Sequence, residues 1–179
     1  MKTINVRADL FCKVILASMG ISNVTNEKLE KDDDVVVYTC DVIEQSNMVM
    51  EYVASIFSNA NIHGSMGKNG WMRELCITMK YDLEEINGVK YLVVEKQFFE
   101  SIVEMLVKRL FGICSNAELI VEAVEKINHT SVYDVFVNVE YESKPIFDLD
   151  HESIKFINFI GSGIEIAVED KEHLYINIY

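Results

Sequence analysis

Apolar residues recur along the chain with two different periods, and the switches between them predict its elements. Leu10, Val14 and Ala17, flanked by Phe11, Ile15 and Met19, share one side of a helix over 8–19. Gly20 is placed to end it. A valine-rich run predicts a strand over 35–43. Asn47 can cap a helix over 48–58, in which Val49, Val53, Ile56 and Phe57 form the apolar face. Leu75, Ile77, Met79 and Tyr81 alternate with Cys76, Thr78, Lys80 and Asp82, the pattern of a half-buried strand. Asn87-Gly88 then marks a two-residue turn, since both residues tolerate positive φ. That register sets Ile86 against Val89 and Glu85 against Lys90, so 73–86 and 89–95 are expected to pair.

The most apolar helix covers 97–111, with Phe98, Phe99, Ile102, Met105, Leu106 and Leu110 on its broad inner face. Glu104 and Lys108 are spaced to pair on the wet side, and Gly112 ends the run. Ser115-Asn116-Ala117-Glu118 reads as a capping box for a further helix, with Ile120, Ala123, Val124 and Ile127 facing inward. The last third reads as strands. Val135, Val137, Val139 and Tyr141 alternate with polar and aromatic neighbours. A strand over 154–160, a hairpin turn at Gly161-Ser162-Gly163, and strands over 164–168 and 174–179 complete a meander. The polar segment 22–34 reads as a solvated connection, and 61–70 as a flexible glycine-rich loop. The expected fold is a single α+β domain over 1–179. Its sheet is mainly antiparallel, with a hairpin at 73–95 and a C-terminal meander packed against about four helices.

Composition narrows the function more than the fold. The chain has 179 residues, half of them apolar and a quarter charged, enough for a core without a disulfide or metal. Its formal net charge is −13. Charge of that sign repels nucleic-acid phosphates and suits contact with a basic protein surface. The four cysteines, Cys12, Cys40, Cys76 and Cys114, are widely spaced with no zinc pattern. Three of them, Cys12, Cys76 and Cys114, sit in apolar runs and read as buried free thiols. No stretch has the signal-peptide pattern or the length of a membrane span, so a cytoplasmic location is expected. Few arginines and one proline suggest an AT-rich coding background, as in a low-GC bacterium, a phage or a large DNA virus.

Candidate chemistry is sparse. The loop His63-Gly64-Ser65-Met66-Gly67-Lys68-Asn69-Gly70 departs from a phosphate-binding loop in its glycine spacing and in having Asn69 where a hydroxyl belongs. Lys68 and the sole tryptophan, Trp71, are candidates for partner contact instead. Asp148-Leu149-Asp150-His151-Glu152 reads as an acidic loop between strands with too few ligands for a metal site. Gly161-Ser162-Gly163 lacks the strand–helix setting of a nucleophile elbow. Cys114, beside the capping box, is the thiol best placed for a lowered pKa. The acidic groups Asp32, Asp33, Asp34, Glu84, Glu85, Asp148, Asp150 and Glu152 all fall at expected loops or turns.

The expectation is a non-catalytic acidic protein that binds another protein, with no cofactor, no membrane and no direct nucleic-acid contact. Its concrete form is a phage or viral inhibitor of a host nucleic-acid-handling or defence enzyme. The composition is similar to that of phage anti-CRISPR proteins, without a shared motif. Asp32, Asp33, Asp34, Lys68, Trp71, Glu84, Glu85, Asp148, Asp150 and Glu152 are the expected partner-binding residues. The alternatives are a small-ligand domain or enzyme, with a pocket between the 98–111 helix and the C-terminal strands, and a structural homo-oligomer.

Overall fold

The computed structural model describes residues 3–43, 60–66, 72–111, 118–127, 130–138, 151–168 and 173–178. In chain order the elements are β1 (Thr3–Arg7), α1 (Ala8–Ser18), β2 (Val24–Asp32), β3 (Val35–Val42), β4 (Ala60–Met66), β5 (Met72–Met79), β6 (Asp82–Ile86) and β7 (Val89–Glu95). There follow α2 (Lys96–Phe111), β8 (Glu118–Ile127), β9 (Thr130–Asn138), α3 (His151–Ile160), a 3₁₀ turn (Gly161–Gly163), β10 (Ile164–Val168) and β11 (His173–Ile178). The protein is mixed α and β, and its sheets are antiparallel throughout their described pairings. Three sheets form, ordered β1-β7-β6, β2-β3-β5-β4 and β10-β11-β9-β8.

Helix α1 organises the interior. Nine of its eleven residues are buried, so it is apolar around nearly its whole circumference and needs cover on every side. Phe11 stacks on Phe99 of α2 at 5.9 Å between ring centroids and meets Tyr81 edge-on at 5.9 Å. Lys13 holds its ammonium 5.8 Å from the centre of the Phe159 ring of α3. At the C-terminus the Ile21 amide donates to the Leu16 carbonyl and the Gly20 amide to the Ala17 carbonyl, both at 2.9 Å. Gly20 has φ 87°. This paired closure satisfies two carbonyls the helix would otherwise leave open, as the sequence suggested. Ile4 and Val6 of β1 face Val94 and Leu92 of β7 in register, and all four are buried.

The Asn87-Gly88 hairpin has the expected register, with Ile86 against Val89 and Glu85 against Lys90. Asn87 has φ 53° and Gly88 φ 79°. Its first arm is shorter than expected. β5 belongs to a different sheet, where it pairs with β3 and β4, and the chain changes sheets at Lys80 and Tyr81.

Other expectations are corrected. Segment 22–34 is not a connection: most of it is β2, an edge strand whose charged residues stay in water and whose only partly covered side chains are Val24 and Leu29. The first part of the glycine-rich segment is β4, and 67–71 lies outside the described residues. The capping-box helix is a strand, β8, paired with β9 across a bulge between Ala123 and Glu125. The extra residue breaks the two-residue alternation and leaves a spacing that resembles a helix. The expected strand over 154–160 is α3. Phe156 and Ile160, one helical turn apart, are buried, while Ile154 is 45% exposed. Gly161–Gly163 therefore follows a helix and does not join two strands. The expected helix over 48–58 lies outside the described residues, and so does the link 169–172 between the expected strands 164–168 and 174–179. Three helices are present among the described residues, against the expected four or so.

A Cβ added at Gly163 would sit 2.5 Å from Cδ1 of Leu10, itself 2% exposed in the core. Gly163→Ala is expected to lower stability by about 1–3 kcal/mol through this overpacking. A urea titration showing an unchanged midpoint would contradict the packing of the 3₁₀ turn on α1.

Candidate functional site

The sheet β2-β3-β5-β4 has one dry face and one wet face. Val36, Tyr38, Cys40, Leu75, Ile77, Met79 and Ala60 are buried on the inner side. The residues between them, Thr39 and Asp41 on β3, Glu74, Cys76 and Thr78 on β5, and His63 and Ser65 on β4, are half-buried or exposed. Two-residue alternation puts them on the outer face.

Strand register gathers these side chains into rows. Lys28, Thr39, Cys76 and His63 are successive partners across the sheet. The next row is Asp41, Glu74 and Ser65. Asp41 and Glu74 face each other directly, an arrangement that like charges oppose. A neutral donor from each outer strand eases it. Asn26 Nδ2 donates to Asp41 Oδ2 at 2.6 Å, and Ser65 Oγ donates to Glu74 Oε2 at 3.1 Å. Cys76 Sγ lies 3.9 Å from Thr78 Oγ1. Apart from Thr78, these groups line a cleft of about 840 Å³ together with Glu27, Cys40, Gly64 and Leu75.

A bulge in β2 shapes one wall. The pairing shifts between Thr25 and Lys28, and Asn26 takes φ 54°, a conformation asparagine tolerates. The shift lets Glu27 reach the buried Tyr38, whose hydroxyl donates to Glu27 Oε1 at 2.6 Å. Burial, and then the hydrogen bond to Glu27, hold the Tyr38 phenol well above its ordinary range. Burial also pushes the Cys40 thiol up to about 11 and the Cys12 thiol well above normal. Cys12 and Cys40 are therefore protonated, sealed thiols. Cys76 departs from the sequence expectation, being half-buried on the outer face.

The expected partner-binding residues divide among different places. Asp32 ends β2, and Asp33 and Asp34 form the turn into β3, all three exposed. Glu84 and Glu85 are exposed on β6, in another sheet, and Asn5 Nδ2 donates to Glu84 Oε2 at 2.9 Å. Glu152 falls in α3, so the described part of the 148–152 segment is helical and not an extended loop. Lys68, Trp71, Asp148, Asp150 and Cys114 lie outside the described residues. Among the described residues no group of three or more His, Cys, Asp or Glu side chains is placed to hold a metal ion. Nor is any helix among them long and apolar enough to cross a membrane.

The residues that sequence reasoning missed are Asn26, Asp41 and Glu74, and it weighed His63 and Ser65 only as part of a glycine-rich loop, not as strand neighbours of Cys76 and Glu74. The alternation about Leu75 marked Cys76 and Thr78 as one face. Without β4 and the bulge, nothing joined them to the rest. No protein-family model, curated protein or solved structure matches the chain.

Folded Tyr38 stays protonated where an unfolded tyrosine ionises, near pH 10. The unfolded state then binds fewer protons than the folded one, so stability falls as pH rises above about 10. The two buried cysteines act in the same direction from about pH 9. Tyr38→Phe is expected to make the decline in urea midpoint above about pH 10 shallower. An identical decline in the variant would contradict the buried phenol.

Proposed function

We propose that this chain is a non-catalytic binding protein whose acidic β2–β3 hairpin docks on a basic surface of another protein. The observation that supports it is the local concentration of carboxylates. Glu27, Glu30, Asp32, Asp33 and Asp34 are all exposed on one hairpin, against Lys28 and Lys31. Asp32, Asp33 and Asp34 join no ion pair among the described residues. A cluster of this kind raises the rate of encounter with a positive partner and weakens with salt. Nucleic-acid-handling proteins carry basic grooves, and an acidic protein can occupy one in place of the phosphate backbone. The concrete reading is an inhibitor of such an enzyme, acting as a single domain in the cytoplasm of a bacterial or infected cell. The other expected contacts, Lys68, Trp71, Glu84, Glu85, Asp148, Asp150 and Glu152, belong to this reading as secondary contacts.

The second reading is a small-ligand domain or an enzyme, and the observation in its favour is the polar cleft of about 840 Å³ on the second sheet. That cleft lies away from the expected position between α2 and the C-terminal strands. A melting-temperature screen against nucleotides and metabolites separates the two, since a ligand of the cleft raises the midpoint by mass action.

The test neutralises the turn. Proteins captured by the wild-type chain from a nuclease-treated bacterial lysate are expected to be nucleic-acid-binding and to be displaced by DNA or RNA. Their association with an Asp32→Asn, Asp33→Asn, Asp34→Asn variant is expected to be slower by about tenfold or more at low salt. Equal rates for the variant with its fold intact, or binding indifferent to salt, would overturn the reading.

A further inference from the structure

The outer face of the second sheet sets one thiol beside one imidazole. His63 of β4 and Cys76 of β5 are direct register partners, on the face opposite the buried Leu75 and Ile77. Side chains opposed in this way have Cβ atoms about 5 Å apart, so a rotamer change brings an imidazole nitrogen to the sulfur. Both residues line the cleft of about 840 Å³, large enough for a small organic molecule. The other two described thiols, Cys12 and Cys40, are buried at 0% and 3% exposure. Cys76 is thus the accessible thiol among the described residues, with a base next to it.

The cleft also selects by charge. Facing the pair are Thr39 and Asp41 from β3, Glu74 and Thr78 from β5, Ser65 from β4, and Lys28 from β2. Asp41 and Glu74 set two carboxylates on this face against the Lys28 ammonium, while the carboxylate of Glu27, also in the lining, is turned to Tyr38. A cationic visitor is favoured there over an anionic one.

We propose that Cys76 and His63 form a thiol–disulfide exchange site for small cationic disulfides, the class of the aminothiol disulfides. His63 accepts the Cys76 proton. The Cys76 sulfur then attacks one sulfur of the small disulfide. The old S–S bond breaks as the mixed disulfide forms at Cys76. The departing aminothiolate takes the proton from the His63 imidazolium and leaves as the thiol. The small disulfide is the oxidant, and one of its two sulfurs leaves reduced. No partner protein enters this chemistry, so it stands or falls separately from the docking hairpin.

The experiment treats the full chain at pH 7 with cystamine or with oxidised glutathione and locates the adduct by peptide mass mapping. Cys76 is expected to react first, about tenfold or more ahead of Cys12 and Cys40. The ratio of cystamine to glutathione rates is expected to exceed the same ratio for free N-acetylcysteine by about tenfold at low salt, and to shrink in 1 M salt and in Glu74→Gln. His63→Ala and His63→Gln are both expected to slow the reaction at pH 7 and to converge with the wild type at alkaline pH, where thiolate forms without a base. Either variant suffices if the other fails to fold. First labelling at Cys12, Cys40 or Cys114, a charge preference no larger than that of N-acetylcysteine, or an unchanged pH–rate profile in both histidine variants would overturn the proposal.

Discussion

The structure depends on covering one short helix. α1 carries apolar side chains around nearly its whole circumference, and eleven residues cannot be stable in water in that form. Two helices and the inner faces of the sheets complete the shell. β1 runs directly into α1 and pairs with β7, which runs directly into α2, so the hairpin partner of β1 delivers the second helix to the first. Phe11 is where these pieces meet, touching Phe98, Phe99 and Tyr81. Tyr81 is also the residue at which the chain leaves the second sheet for the first. A contact made by one ring therefore fixes the relation between two sheets and a helix.

That arrangement decides where chemistry can occur. Groups turned toward α1 lose water, and the thiols and phenols among them are held protonated. Cys12, Cys40 and Tyr38 serve packing and, for Tyr38, a hydrogen bond that pins the β2 bulge. The outer face of the second sheet has the opposite character. It is wet, polar and built from short side chains, and strand register sets its thiol, imidazole and carboxylates side by side. Asp41 against Glu74 is the one directly opposed carboxylate pair in that sheet's described register, and Asn26 and Ser65 tie down one oxygen of each.

Legibility in the sequence followed the range of the interaction. The first helix, its glycine closure, the Asn-Gly register and the aromatic helix all rest on contacts within a few residues, and each was readable. The failures lie where a partner strand defines the element or where a short apolar run fits two periods. β2 has only Val24 and Leu29 as covered apolar positions, and its strand form depends on β3 beside it. β8 reads as a helix because its bulge shifts the alternation, and a bulge is defined by the partner strand. α3 reads as a strand because Ile154, Phe156 and Ile160 fit a period of two. The exposure of Ile154 shows that the period of the helix prevails. The outer-face site was illegible for the same reason. Its residues come from four consecutive strands, but the sheet order β2-β3-β5-β4 and the strand registers are what set them side by side.

The edge position of β2 also limits how the hairpin can bind. Among the described residues β2 pairs on one side only, which leaves backbone donors and acceptors that an incoming strand could use. Its other features oppose such addition. The bulge at Asn26 and Glu27 breaks the straight run of the edge. Glu27, Lys28, Glu30, Lys31 and Asp32 place exposed charge along it, and the turn adds two more carboxylates. These are the devices by which edge strands avoid pairing with other chains. The docking proposed for the hairpin would then run through side-chain charge and not through a backbone ladder. Charge recognition tolerates variety in the partner's sequence but demands a dense positive surface, and it is exposed to salt. The cleft on the sheet's outer face beside the edge is different, because it has depth and directed donors. On the two proposals, one hairpin separates a long-range electrostatic contact at its rim from a short-range chemical one in the cleft behind it.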